Sequence, residues 1–105
     1  MTVYDEALNA IRGAGIEADA LCRDGLAARY AIVRLTSKTA FTADDTPMLY
    51  AYDVETRVFA QDGLDAIALT VEDAMREAGF TFNSRSDQYD GEYQIATIRW
   101  TTWEE

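Results

Sequence analysis

The stretch from Asp62 to Gly79, DGLDAIALTVEDAMREAG, most constrains this chain, because it is an amphipathic helix set between β-forming segments. Leu64, Ile67, Ala68, Val71, Ala74, Met75 and Ala78 recur at three- and four-residue steps, which puts them on one stripe of an α-helix. Asp62 is placed to cap the first turn, and Asp65 adds a carboxylate near the positive helix end. Gly79 stands where a left-handed residue commonly stops a helix. Leu49–Phe59 precedes the helix, and Phe80–Trp103 follows with an Asp-Gly turn inside. A single apolar stripe between two β segments predicts a helix lying across the sheet they form.

The remaining elements follow from local pattern. Thr2 can cap a first helix, with Asp5 three residues on as a weaker form of the capping box. Tyr4, Ala7, Leu8 and Ile11 form its stripe, and Gly13-Ala14-Gly15 ends it. Ile16–Leu21 reads either as a short extended piece or as a further helical turn, and Arg23-Asp24-Gly25 reads as a turn. Tyr30–Thr36 is rich in β-branched residues and predicts a strand. Ser37–Pro47 is polar around Phe41 and predicts a long connecting loop.

Met48–Phe59 predicts a longer strand. Met48, Tyr50, Tyr52, Val54, Thr56 and Val58 lie on one face, and Leu49, Ala51, Asp53, Glu55, Arg57 and Phe59 on the other. The second face carries charges in its middle, which marks it as the solvent or partner face. Phe80–Tyr89 and Glu92–Trp103 are two strands joined at Asp90-Gly91, a dipeptide that favours a tight type I′ hairpin. The order is α-β-β-α-β-β: a single α+β domain, residues 1–105, with helices packed on an antiparallel sheet. Both faces of the last strand have apolar character, and two helices cannot fully cover both faces of such a sheet, so a partner surface is implied.

Composition narrows the function classes. A chain of 105 residues forms one domain that buries roughly two thirds of its unfolded surface. No run approaches the ~20 apolar residues of a membrane helix, and the acidic N-terminus lacks the basic start of a signal peptide. The net charge of −10 repels phosphate backbones, so ordinary duplex binding is not expected. The chain has no histidine and one cysteine, Cys22, which removes the commonest general base, the Ser-His and Cys-His arrangements and the usual zinc sites. No cofactor or metal is expected. The acidic pairs Asp5/Glu6, Asp44/Asp45, Asp53/Glu55, Glu72/Asp73 and Glu104/Glu105 read as solvated surface, because charged side chains are rarely buried unless paired. Asp87–Glu92 lacks the ligand spacing of a calcium loop and reads as hairpin chemistry. Arg76, Arg85 and Arg99, scattered among so many acids, are expected to make salt bridges. The aromatics Tyr50, Tyr52, Phe59, Phe80, Phe82, Tyr89, Tyr93, Trp100 and Trp103 crowd the β part, which suits core packing and protein–protein contact.

Residues 41–100 resemble the tail completion and tail terminator proteins of long-tailed bacteriophages. The resemblance rests on Phe41-Thr42-Ala43-Asp44-Asp45, which matches a Phe-x-Ala-Asp-(Asn or Asp) stretch. It rests also on the strand ending and helix start at Glu55–Gly63, the helix-ending Gly79 and the terminal hairpin Tyr89–Trp100. It extends over roughly residues 30–103, and no motif in it is catalytic. It implies a non-enzymatic virion protein of the tail or neck, assembled in the host cytoplasm. Such proteins form a ring, usually of six copies, at the head-proximal end of the tail tube; the ring ends tube growth and offers a docking face to the head connector. Genome DNA passes through the lumen without specific binding, which an acidic wall favours. Phe41, Asp44, Asp45, Tyr50, Tyr52 and Trp103 are the candidate contacts to a neighbouring subunit or to the tail tube protein, with Phe41 as the anchor of an assembly arm. Two other classes stay open. An acidic DNA mimic that inhibits a nucleic-acid-binding defence protein fits the charge, although its acids should follow a phosphate-like spacing. A small carboxylate enzyme needs acids converging in a cleft.

Overall fold

In the computed structural model, residues 3–16, 18–20, 29–43 and 46–104 are described; Cys22, Asp44 and Asp45 lie outside them. The helix read from the periodicity is α2, Leu64–Glu77, and it buries Leu64, Ile67, Ala68, Val71 and Met75. Burying each of the larger of these side chains contributes about 1.5–3 kcal/mol. Ala74 is only half-buried, and Ala78, one step past the helix, is exposed. Gly79 follows in the left-handed region at φ 97°. The start differs from expectation. Gly63, not Asp62, is the cap residue, left-handed at φ 66° with no side-chain cap. The Leu64 N–H instead donates to Gln94 Oε1 at 3.4 Å, a partner from a distant strand that no local rule can anticipate.

The first helix, α1 (Val3–Gly13), buries Val3, Ala7, Leu8 and Ile11. Beyond it come β1 (Ala18–Ala20), β2 (Arg29–Ala43) and β3 (Thr46–Ala60), and after α2 come β4 (Thr81–Tyr89) and β5 (Gln94–Glu104). The sheet order is β1-β2-β3-β5-β4. The pairs β2–β3, β3–β5 and β5–β4 are antiparallel, as expected for this α+β order. The ambiguous segment after α1 resolves as extended: β1 runs parallel to β2, with Ala18 opposite Ala31 and Ala20 opposite Val33. Arg12 Nε and Nη2 donate to the Ala18 carbonyl at 3.0 and 2.7 Å, tying the end of α1 to this short strand.

Both helices pack on one face of the sheet. Their stripes meet Ala31, Val33, Val54, Val58, Ala96, Ile98 and Trp100 in one hydrophobic core. Trp100 is fully buried, and its Nε1–H donates to Thr56 Oγ1 at 3.0 Å. Thr56 in turn donates to the Ile98 carbonyl at 3.5 Å, so the polar atoms of this buried pair are satisfied. The Phe82 ring meets Trp100 edge-on at 5.6 Å.

The expected loop over Ser37–Pro47 is not a loop. β2 continues to Ala43 and β3 starts at Thr46, with register pairs from Ser37↔Asp53 to Ala43↔Thr46. Hairpin pairing satisfies backbone groups whatever the side chains, so a polar stretch can be strand. β5 reaches Tyr50, opposite Glu104, so among the described residues the two strands beyond that row pair with each other alone. Fifteen residues of strand span about 50 Å, close to the 51 Å long axis of the molecule. A register shift between Leu35 and Ser37 bends the root of this hairpin. There the Leu35 N–H donates to Tyr4 Oη at 2.9 Å, fastening the arm to α1.

The second hairpin keeps a two-residue turn but centres it one residue later than the expected Asp90-Gly91. Tyr89 pairs with Gln94, and the Asp90 N–H donates to the Tyr93 carbonyl at 3.1 Å, so Gly91-Glu92 is the central pair. Asp90 Oδ1 accepts from the Glu92 and Tyr93 N–H groups at 2.9 and 2.7 Å. That side-chain turn shifts the centre by one residue.

Candidate functional site

The face of the sheet opposite the helices is where the sequence places its charges, and the register arranges them in rows. Arg34 of β2 lies opposite Glu55 of β3, which lies opposite Arg99 of β5. In the next row Ile32, Arg57 and Thr97 align. Arg57 Nε donates to Glu55 Oε1 within its own strand. Arg34 and Arg99 are exposed, whereas Glu55 is only 6% exposed. The row therefore sets a buried carboxylate between two exposed arginines, and the carboxylate is paired with Arg57 of the next row.

On one side of the charged row stands an aromatic cluster. Tyr30 and Phe59 stack at 4.6 Å, and Tyr93 meets them edge-on at 5.7 and 6.1 Å. Such pairs add about 0.5–1.5 kcal/mol beyond burial. On the other side, Asn83 Nδ2 donates to Thr101 Oγ1 at 2.6 Å, and Thr101 Oγ1 donates to Asp53 Oδ1 at 3.1 Å, linking β4, β5 and β3. Thr36, Asp53, Glu55, Asn83, Ser84 and Arg99 line a shallow open depression here.

A second charged group ties the edge strand to the helix layer. Arg85 of β4 donates to Asp87 at 2.8 and 3.0 Å and to Asp65 at 2.9 Å, and it stands 3.7 Å from Glu72. The hydrogen bond to Asp87 does most to hold the Arg85 guanidinium above its ordinary pKa, with Asp65 adding to it and burial opposing. Arg76 reaches Glu72 at 3.9 Å and lies 5.2 Å over the Phe82 ring. The expectation that these arginines make salt bridges holds for Arg76 and Arg85. The solvated reading of the acidic pairs fails for Glu55 and Glu72, each 6% exposed, because each has an arginine within reach to offset its desolvation. Among the described residues, no group of three or more His, Cys, Asp or Glu side chains gathers as a metal ion would require.

The six expected contact residues are not on one surface. Tyr50 and Tyr52 sit side by side on the helix-side face of β3, with ring centroids 6.5 Å apart, and Tyr52 packs against the core. Trp103 pairs with Ala51 on the opposite face and is 52% exposed. The Phe41 backbone pairs with Leu49 within the hairpin arm, its side chain lying outside the described residues together with Asp44 and Asp45. The row Arg34–Glu55–Arg99 was missed because it is made by register. Alternation along β3 marked Glu55 and Arg57, but nothing local says which residues of β2 and β5 stand beside them.

No family model matches the chain, and no curated protein does. Among solved structures it is similar to a chain of a structure described as the virion of a native gene transfer agent particle. The identity is 18% and the TM-score 0.56, over 94% of this chain and 88% of the other, a likeness of fold.

Proposed function

We propose that this protein is a structural subunit of a phage-like virion, and that it forms a ring at the head-proximal end of a tail tube, ends tube growth and joins the tail to the head connector. The observation that carries the reading is the fold likeness to a chain of a gene transfer agent virion, which runs over 94% of this chain. The tail terminator resemblance of residues 41–100 points the same way from sequence. The hairpin arm supports it: among the described residues its strands pair only with each other beyond Tyr50, and such edges suit pairing with a neighbour. The sheet also keeps one face clear of α1 and α2. A DNA mimic fits less well, because Arg34, Arg57 and Arg99 stand in the middle of that face.

The test is the mass of the assembled species. Native mass spectrometry should find six copies of the 11.7 kDa chain, about 70 kDa, alone or with its tail tube protein. Replacing Phe41–Leu49 with an Asn-Gly turn should leave the monomer folded, with a cooperative thermal transition by circular dichroism, and should abolish capping, so that tubes grow beyond their normal length. A protein that stays monomeric with tube protein present, or a shortened arm that still caps tubes at normal length, would defeat the proposal.

A further inference from the structure

The surface is charged in opposite senses on its two sides. Among the described residues the sheet face presents Arg34 and Arg99 on either side of Glu55, whose carboxylate already accepts from Arg57, and with Asp53 on the same face three guanidinium groups meet two carboxylates, a surplus of one positive charge on a chain of net charge −10. The pair is separated by two strand spacings, about 10 Å. Four residues beyond Arg99 on the same face of β5, about 13 Å along the strand, Trp103 is 52% exposed.

The helix side carries the counterpart. Leu69, Asp73 and Glu77 of α2 follow one another at four-residue steps along its solvent side, and all three are exposed, Leu69 by 55%. This ridge is about 12 Å long. Its neighbour Arg76 leans away to Glu72 and over Phe82. Beside the ridge, Asn9, Ala10, Gly13, Ala14, Ala74 and Ala78 line, together with Glu77 itself, a cleft between the helices where mostly small side chains leave room for an incoming one.

We infer that these two surfaces meet between copies of the chain: the Arg34–Arg99 face of one subunit docks on the Leu69–Asp73–Glu77 ridge of the next. Arg99 and Trp103 match Glu77 and Leu69 in spacing as well as in chemistry, charge on charge and apolar on apolar. The two surfaces differ and lie on opposite sides of the subunit, so the contact is head-to-tail and builds a ring when its rotation closes. Partial burial of the charges at such a contact selects the register, because a like-charged pairing is repelled. The inference rests on the ring proposed above and adds which faces form it.

Two charge-reversed variants test it. Asp73→Lys/Glu77→Lys has two basic surfaces, and Arg34→Glu/Arg99→Glu has two acidic ones. Each alone should remain monomeric where the wild type assembles, with its dissociation constant raised at least tenfold. Mixed in equal amounts, they should form rings in which the two variants alternate, read by native mass spectrometry with one variant isotope-labelled. Circular dichroism checks that each is folded; if reversal beside Glu55 unfolds the sheet, Arg34→Gln/Arg99→Gln keeps the Glu55–Arg57 pair and should still weaken assembly tenfold. Variants that assemble like the wild type, or folded variants whose mixture stays monomeric, overturn this contact while leaving the ring intact. A monomeric wild type overturns the ring and this contact together.

Discussion

The two faces of β3 are made by alternate residues of one strand and are stabilised in different ways. Val54, Thr56 and Val58 point under the helices and are at most 1% exposed. Asp53, Glu55 and Arg57 point the other way, where order comes from a hydrogen bond to Thr101 and an ion pair. On the first face, shape and dryness decide what is tolerated. On the second, charges are held by other charges near water, so substitutions there cost the fold less than substitutions on the first.

The sharpest way to break that comparison is to put one charge on each face. Val71→Asp places a carboxylate on the fully buried stripe of α2, with no partner provided. Burying it costs several kcal/mol, against a typical total stability of about 5–15 kcal/mol. The variant should lack a cooperative thermal transition by circular dichroism. Arg34→Gln on the exposed face should stay within about 0.5 kcal/mol of the wild type in urea unfolding. A well-folded Val71→Asp would mean that the stripe is not core.

The ion pair offers a finer test. Arg57→Met leaves Glu55 buried without its hydrogen-bonded partner and should cost about 1–3 kcal/mol. Glu55→Met/Arg57→Met removes both charges and should regain most of that loss, because apolar residues of similar size commonly replace such pairs without penalty. Urea unfolding of these two variants and of Glu55→Met completes the cycle; equal losses in Arg57→Met and the double variant would show that Glu55 is stabilised from elsewhere.

These contrasts show what was legible beforehand. The α2 stripe could be read because a helix brings its own residues together, and Ile67, Val71 and Met75 are local neighbours. The β3 alternation could be read for the same reason. The arm could not, because the polar run Ser37–Pro47 becomes strand only through pairing with the opposite arm. Pro47, the expected end of that loop, sits in strand at a register shift near the tip, where a missing N–H costs little. The parallel strand β1 is three residues long and exists through its contact with β2. The Arg34–Glu55–Arg99 row failed for that reason too: its members are far apart in sequence, and only register joins them.

A smaller effect is expected at Arg85, which joins β4 to α2. Arg85→Met removes bonds to Asp65, 89% exposed at its side chain, and to Asp87, where solvent screens the charges, so each is worth about 0–1 kcal/mol. Glu72 keeps Arg76 nearby. Global stability should fall by about 1 kcal/mol, while β4 amides should exchange with deuterium faster than those of β3. Uniform acceleration across the sheet would show that β4 does not open separately.

The smallest effect concerns Asp90, at the turn between β4 and β5. The N–H groups of Tyr93 and then Glu92 donate to its carboxylate and lower its pKa from the ordinary value of 3.8. The folded state thus favours the ionised form, and the unfolded chain binds the proton more readily. The resulting stabilisation is present above the unfolded value and fades as pH falls through the depressed folded one. Asp90→Ala removes both acceptor roles and should lower the Tm slightly at pH 7, with the gap to wild type closing as the pH drops below 3.8. Asp90→Asn retains an acceptor oxygen without a charge, so its Tm should lie between the two at pH 7. A gap between wild type and Asp90→Ala that stays constant from pH 7 to pH 2 would assign the effect to turn geometry alone and remove the charge from the account.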